Sequence, residues 1–191
     1  GDARVRTYLA GEQDTSSASI SLSLKLFNHN ASNDVGKVSV MITPENFKGK
    51  SYQFSKNVAA EGSSATTVDL DPASVKELNI TKPSLWWPNG HGKQNLYRMR
   101  ITYTGQNGLS DDTTFLFGIR TVSSKAVEVN GTWRRDFYVN GRRIHLTGGA
   151  WVPDFMLNRD SLRYDYEMRL CRNANINLVR IWGGGVTPCD E

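Results

Sequence analysis

Residues 177–185, NLVRIWGGG, constrain the chain most, because they place a charge inside an apolar run that ends in three glycines. Leu178, Val179 and Ile181 are typical of a strand that is buried on both faces. Arg180 interrupts that run, and a buried guanidinium is costly unless an anion lies close by. The pattern predicts the carboxyl end of a parallel strand that opens onto a ligand site. The alternative is a core strand whose arginine reaches solvent, followed by a flexible loop.

The bulk properties of the 191 residues argue against several classes of function. The net charge is +4, and the arginines are scattered among predicted strands instead of forming the basic stripe of a nucleic-acid-binding protein. No apolar run approaches the length of a membrane span, so we expect no membrane partner. The two cysteines fit neither a disulfide framework nor a CxxC metal site, and the three histidines are isolated in the sequence. We therefore expect no metal site.

The ends of the chain suggest an excerpt from a longer protein. It starts without an initiator Met and stops soon after the three glycines, without an element that closes an α/β unit. Such a sequence does not reveal the compartment of the parent protein. We expect the parent to be secreted, periplasmic or lysosomal.

Residues 1–122 are predicted to form an all-β domain. Residues 18–27 alternate between leucine or isoleucine and serine or lysine, as expected for a strand with one buried and one wet face. Residues 36–43 and 95–104 alternate in the same way, and residues 76–80 are among the shorter strand candidates. Seven or so short strands at this spacing predict an immunoglobulin-like sandwich.

The pattern changes after residue 121. Residues 136–146 predict a hairpin on the Asn140-Gly141 turn. Residues 147–154 form a glycine-rich loop, and residues 161–174 have helical period with Asp160 or Ser161 as the cap. The strand at residues 177–182 follows at once, which completes one βα repeat of a parallel fold.

Four landmarks together resemble the family 2 glycoside hydrolases: residues 83–90 (PSLWWPNG), 117–120 (FGIR), 137–141 (FYVNG) and 177–185. They occur in the order that the family has. The resemblance implies a mainly β fold, in which the sandwich of residues 1–122 precedes residues 123–191 as the truncated start of a (β/α)8 barrel. It also implies a retaining enzyme without cofactor, whose two catalytic glutamates lie beyond Glu191. On this view the chain contains no catalytic residue, and it is inactive by itself.

The resemblance points to two sugars. Trp182 with its three following glycines is similar to the β-mannosidases, including the plant type that trims glycoprotein mannose. Residues 148–154, GGAWVPD, are closer to the exo-β-glucosaminidases, and Ala150 stands where β-mannosidases carry Asn. Terminal β-mannosides are therefore the first expectation for the parent, and β-glucosaminides are the alternative.

Three residues are the candidates for substrate binding in the parent. In the enzymes that the chain resembles, an arginine at the position of Arg180 lies beside the nucleophile, which it keeps ionised and oriented. Trp182 offers a flat face on which a pyranose ring can stack, with core packing as its alternative. Trp151 has the same two interpretations, and core packing is the favoured one. The tryptophans at 86 and 87 and Arg120 are expected to be scaffold, and Asp154, Asp190 and Glu191 are expected to be structural or peripheral.

A rival from another class is a carbohydrate-binding or adhesion module built on the sandwich alone. The barrel-entry motifs argue against it, since such a module has no use for a strand arginine before three glycines. If the chain is a cut barrel, its unpaired strand edge should make the fragment self-associate through residues 136–185.

Overall fold

The computed structural model describes residues 2–108, 110–152 and 160–182. These form thirteen strands, one α-helix and a single 3₁₀ turn at Lys76–Leu78. The strands and the helix are β1 Ala3–Leu9, β2 Ser17–Asn28, β3 Asp34–Pro44, β4 Tyr52–Ala60, β5 Ser64–Leu70, β6 Asn79–Thr81, β7 Tyr97–Thr104, β8 Ser110–Phe117, β9 Val122–Val129, β10 Thr132–Val139, β11 Arg142–Ile144, β12 Gly148–Trp151, α1 Ser161–Asn173 and β13 Leu178–Ile181.

The first eight strands form two antiparallel sheets that enclose one core. One sheet has the order β1-β2-β5, with β6 also paired to β2, and the other has the order β4-β3-β7-β8. The inward residues of β2 alternate with serines as predicted, and Ile20 and Leu22 are almost completely buried. Each such side chain stabilises the fold by roughly 1.5–3 kcal/mol. The mainly β prediction is confirmed, and the two packed sheets form a sandwich, the architecture of immunoglobulin-like domains.

Two details of the predicted sandwich were wrong or incomplete. The strand expected at residues 76–80 begins as the 3₁₀ turn, and only its last two residues belong to β6, Asn79–Thr81. Strand β1 was not predicted from the sequence, although its burial alternates and it pairs with β2 along its whole length.

A three-stranded antiparallel sheet of order β11-β10-β9 follows the sandwich. The predicted hairpin at Asn140-Gly141 joins β10 to β11. A second Asn-Gly turn, at Asn130-Gly131, joins β9 to β10 and was not predicted. All four turn residues have positive φ, as a two-residue type I′ turn requires. Strand β9 begins at Val122.

The last elements are a strand, a helix and a strand, in which β12 pairs in parallel with β13. The prediction of a loop at residues 147–154 was wrong for Gly148–Trp151, which is β12. Glycine is unfavourable in the interior of a strand, but β12 requires glycine at position 148. A Cβ on Gly148 would clash with the carbonyl oxygen of Leu178 on the neighbouring strand. Helix α1 is too short and polar to cross a membrane, and no other α-helix occurs in the described ranges.

Candidate functional site

The carboxyl ends of β12 and β13 lie side by side because the strands are parallel. Trp151 pairs with Ile181 in the ladder, and its carbonyl oxygen accepts the Trp182 N–H at 3.1 Å. Helix α1, which connects the two strands, is capped by Asp160, whose carboxylate accepts the Leu162 N–H at 3.0 Å. This is one of the two caps that the sequence predicted. The geometry therefore brings the backbones of Trp151 and Trp182 together.

The side chains of the three candidate residues are divided between two faces. Successive side chains of a strand point to opposite sides. Trp151 faces α1, since its ring meets Tyr164 edge to face with 5.4 Å between centroids. Val179 lines a cavity of about 320 Å³ together with helix residues, so it faces α1 as well. Arg180 and Trp182 alternate with Val179 and lie on the opposite face, where both are exposed.

The helix holds Trp151 by a charged hydrogen-bond network. The indole N–H of Trp151 donates to Oε2 of Glu167 at 2.7 Å, and Nε of Arg163 donates to Oε1 at 2.7 Å. The bond from Arg163 and, second, the bond from Trp151 lower the pKa of Glu167, because both favour its ionised form. Trp151 is thereby held half-buried against α1.

The strand that carries Arg180 is less buried than the sequence predicted. The strand was expected to be buried on both faces, but Leu178 is 38% and Ile181 is 47% exposed. Arg180 is itself exposed and has no anionic partner within the described residues. Among the described residues the Arg180 side chain is exposed to water, so the desolvation cost that would demand a partner does not arise there. The three glycines at 183–185, Asp154, Asp190 and Glu191 lie outside the described residues.

Asn140 ties the three-stranded sheet to the sandwich. Its side-chain oxygen accepts the Thr121 N–H at 3.0 Å, and its side-chain amide donates to the Trp86 carbonyl at 3.0 Å. Its own backbone N–H donates to the Thr121 carbonyl at 2.9 Å. Asn140 is 4% exposed. A single buried side chain thus joins the hairpin turn to two segments of the sandwich.

Two further asparagines tie the βαβ unit into the same joint. The Asn89 amide donates at 2.8 Å to the Arg172 carbonyl in the last turn of α1, an oxygen that also accepts the Asn175 N–H at 3.1 Å. The Asn177 side chain accepts the Thr147 N–H and donates to the His145 carbonyl, both at 2.9 Å. The segments before β12 and before β13 are therefore held together by side-chain bonds.

The adjacent tryptophans at 86 and 87 are part of this joint. The Arg120 guanidinium lies 4.3 Å from the ring centroid of Trp86, and the Arg142 guanidinium lies 5.9 Å from that of Trp87. Both indole rings are half-buried. Each ring therefore has a cation of the protein itself near one of its faces.

Sequence reasoning missed Asn89, Asn140, Asn177 and Glu167 as residues that hold the site. The asparagines lie within the motifs quoted above, but those motifs do not indicate which groups the asparagine side chains bind. Their partners are backbone groups up to 87 positions away, which no local periodicity reveals. Glu167 had a usable signal, since it lies four residues after Arg163 on a predicted helix. No group of three or more His, Cys, Asp or Glu able to hold a metal occurs in residues 2–108, 110–152 and 160–182.

Comparison with protein families gives a match to "Glycosyl hydrolases family 2" over residues 2–120. A mannosylglycoprotein endo-β-mannosidase of Lilium longiflorum is 37% identical over 131 residues, which is 65% of this chain and 14% of that protein. An exo-β-D-glucosaminidase of Streptomyces avermitilis is 34% identical over 130 residues, 68% of this chain and 14% of that protein. The chain thus spans about 14% of the length of these relatives.

Solved structures share the fold. A β-D-mannosidase from Dictyoglomus thermophilum superposes with a TM-score of 0.76 at 24% identity, covering 98% of this chain and 22% of that chain. An exo-chitosanase from Amycolatopsis orientalis gives 0.73 at 24% identity, covering 97% and 20%. The family match covers more than half of the residues, and the chain therefore belongs to the glycosyl hydrolases of family 2.

Proposed function

We propose that this chain is the sandwich and the first βαβ unit of a retaining β-glycosidase that hydrolyses terminal β-mannosides. Membership of the family and relatives named as β-mannosidases support this proposal. The observation that carries it furthest is the open face of the β12–β13 pair, where Arg180 and Trp182 lie beside the carboxyl ends of two parallel strands. Ligand sites of α/β barrels are built at such ends.

In this proposal β12 and β13 are the first two strands of a (β/α)8 barrel and α1 is the first helix of its outer ring. Trp151 and Val179 then face the helix layer, and Arg180 faces the barrel interior. The exposed surface of Arg180 in this chain is the surface that six further strands would cover. Its guanidinium, unpaired in the described chain, would there find the carboxylate that a buried arginine needs.

The proposed chemistry requires two carboxyl groups about 5 Å apart, one as nucleophile and one as acid/base. On the family resemblance both glutamates follow Glu191. Arg180 would donate charge-assisted hydrogen bonds to the nucleophile and keep it ionised. Trp182 would stack against the pyranose ring, while Trp151, held by Glu167, would keep the end of β12 in place. No metal or redox step is required for this reaction.

A second candidate substrate is a terminal β-glucosaminide, and one observation favours it. Ala150 is the β12 partner of Arg180 in the ladder, so it lies beside Arg180 on the open face. Asn occupies this position in the β-mannosidases that the chain resembles. A methyl group in its place removes one hydrogen-bonding group next to Arg180, which alters what a sugar hydroxyl or amine can contact.

The test is turnover of aryl β-mannosides and aryl β-glucosaminides by the full-length parent and by its Ala150→Asn variant. We expect the parent to prefer the mannoside and the variant to shift the ratio of kcat/KM values further toward it. A parent that prefers the glucosaminide would establish the second candidate instead. The 191-residue chain alone should turn over neither substrate, and a rate that disappears on mutating one of its own carboxylates would overturn the proposal.

The rival function, a carbohydrate-binding module, is tested by glycan-array binding of residues 1–122. The hydrophobic core of the sandwich lies within these residues, from Ala18 to Ile119, so we expect this segment to fold by itself. We expect no specific binding, because Arg120 and Arg142 lie over the rings of Trp86 and Trp87 and compete with a sugar for them. Selective binding of one glycan class would favour the module.

A further inference from the structure

Two Asn-Gly dipeptides of the three-stranded sheet form a matched pair. Asn130-Gly131 and Asn140-Gly141 each make a two-residue hairpin turn. Their φ angles are 52° and 78° in the first turn and 50° and 72° in the second. The two turns thus share their sequence and, within a few degrees, their φ angles, so a difference in their chemical reactivity is expected to come from their surroundings.

Asn-Gly is the dipeptide in which an asparagine side chain is most easily attacked by the following backbone nitrogen, since glycine has no side chain to hinder the approach. The Gly nitrogen forms a bond to Cγ of Asn and loses its proton, the bond from Cγ to Nδ2 breaks, and ammonia leaves. Water then opens the cyclic imide to aspartate or isoaspartate. Water is the only co-reactant. Ring closure requires the turn to leave its left-handed geometry, so the rate depends on how readily each turn opens.

The Asn140-Gly141 turn is prevented from opening. The Asn140 side chain makes hydrogen bonds of 3.0 Å to Thr121 and to Trp86, and its backbone N–H makes one of 2.9 Å to the Thr121 carbonyl. Gly141 packs so closely on the chain at Glu12 that even a Cβ would clash with the Glu12 carbonyl oxygen. Opening this turn breaks three hydrogen bonds and a close backbone contact.

Asn130 has none of these restraints. It is exposed, and its side chain makes no hydrogen bond within the described residues. No atom lies within 4 Å of the position that a Cβ of Gly131 would occupy. Only the ladder between β9 and β10 holds this turn, and hairpin ends open more readily than buried segments. We infer that Asn130 is a site of spontaneous deamidation in the folded protein, and that Asn140 is protected.

The experiment uses the full 191-residue chain from a bacterial host, incubated at neutral to mildly alkaline pH and sampled over days. Trypsin separates the sites, because residues 126–134 and residues 136–142 form different peptides. Mass spectrometry then follows amide-to-acid conversion in each. We expect Asn130 to convert at least about tenfold faster than Asn140. In urea the two rates should become similar, since both dipeptides are Asn-Gly.

Two results would overturn the inference. One is equal conversion of Asn130 and Asn140 in the folded chain. The other is an unreactive Asn130 in the folded chain when the same residue converts in urea, which would show that the turn stays closed. A variant with Asn130→Gln identifies the modified peptide, because the longer side chain forms the cyclic imide far more slowly. Its mass should remain unchanged over the period in which the natural chain converts.

Discussion

The indole N–H of Trp151 donates a 2.7 Å hydrogen bond to Glu167, which fixes the last residue of β12 to the middle of α1. Glu167 is held in turn by Arg163, one helical turn earlier. A sugar-site candidate chosen for its aromatic face is thus oriented toward the helix by a carboxylate. Its carbonyl remains available to the Trp182 N–H, so the network also sets the relative position of the two strand ends.

The first prediction concerns the pH dependence of this network. The pKa of Glu167 is lowered on folding, so its bonds stabilise the folded state above the ordinary glutamate value of 4.5 and are lost as the pH falls through the lower folded value. Acidification below 4.5 should move the NMR signal of the Trp151 indole N–H, while the indole signals of Trp86 and Trp87 remain nearly constant. Glu167→Gln should abolish that movement. If the Trp151 signal moves with pH in the variant as it does in the natural chain, Glu167 is not the group that the Trp151 indole senses.

The second prediction compares Asn140→Ala with Asn130→Ala. Both replace an asparagine of positive φ in the same type of turn, which costs about 1 kcal/mol of backbone strain. Asn140→Ala also leaves the part-buried Thr121 N–H and Trp86 carbonyl without the Asn140 side chain as partner, so its total cost should be about 3–4 kcal/mol. Urea denaturation of both variants measures the difference. Equal destabilisation would show that the Asn140 side chain contributes little to the joint.

The sequence predicted elements best where one face of a strand is wet. In β2 the serines alternate with Ile20, Leu22 and neighbouring leucines, and burial follows that alternation throughout. The hairpin at Asn140-Gly141 was found because both turn positions require positive φ. The sequence carries the identical signal at Asn130-Gly131, so that hairpin was equally predictable.

Other features could not be predicted from local pattern. Strand β12 has two glycines, and its strand geometry depends on the close approach of Leu178 from a segment 30 residues away. The burial expected for residues 178–181 depends on neighbouring elements that are not among the described residues. The Asn89, Asn140 and Asn177 bonds join side chains to backbone groups of other segments. Such partners follow from the fold as a whole, and no periodicity encodes them.

The third prediction concerns Arg180→Lys in the full-length parent. If Arg180 orients a carboxylate through two parallel hydrogen bonds, lysine cannot reproduce the geometry, and kcat should fall by orders of magnitude. Stability of the 191-residue chain should hardly change, because Arg180 is exposed and makes no ion pair among the described residues. Arg169→Lys, in an exposed pair with Asp165, is the matched control and should leave kcat unchanged. A variant that unfolds but keeps its specific activity would make Arg180 a structural residue.

The last prediction concerns the edges of the β12–β13 pair. In the described structure this sheet has only two strands, so each has an outer edge with unpaired backbone groups. Leu178, Ile181 and Trp182 are 38%, 47% and 45% exposed beside those edges. An exposed apolar edge strand is a template for pairing with another chain. We therefore expect the 191-residue chain to self-associate through residues 136–185, and residues 1–122 alone to stay monomeric in light scattering. Ile181→Lys should reduce the association, whereas Leu116→Lys, a site 45% exposed on the sandwich strand β8, should not. A monomeric chain whose amides at residues 178–181 resist hydrogen exchange would mean that the edge is already covered within one molecule, and the split-barrel interpretation would then have to be abandoned.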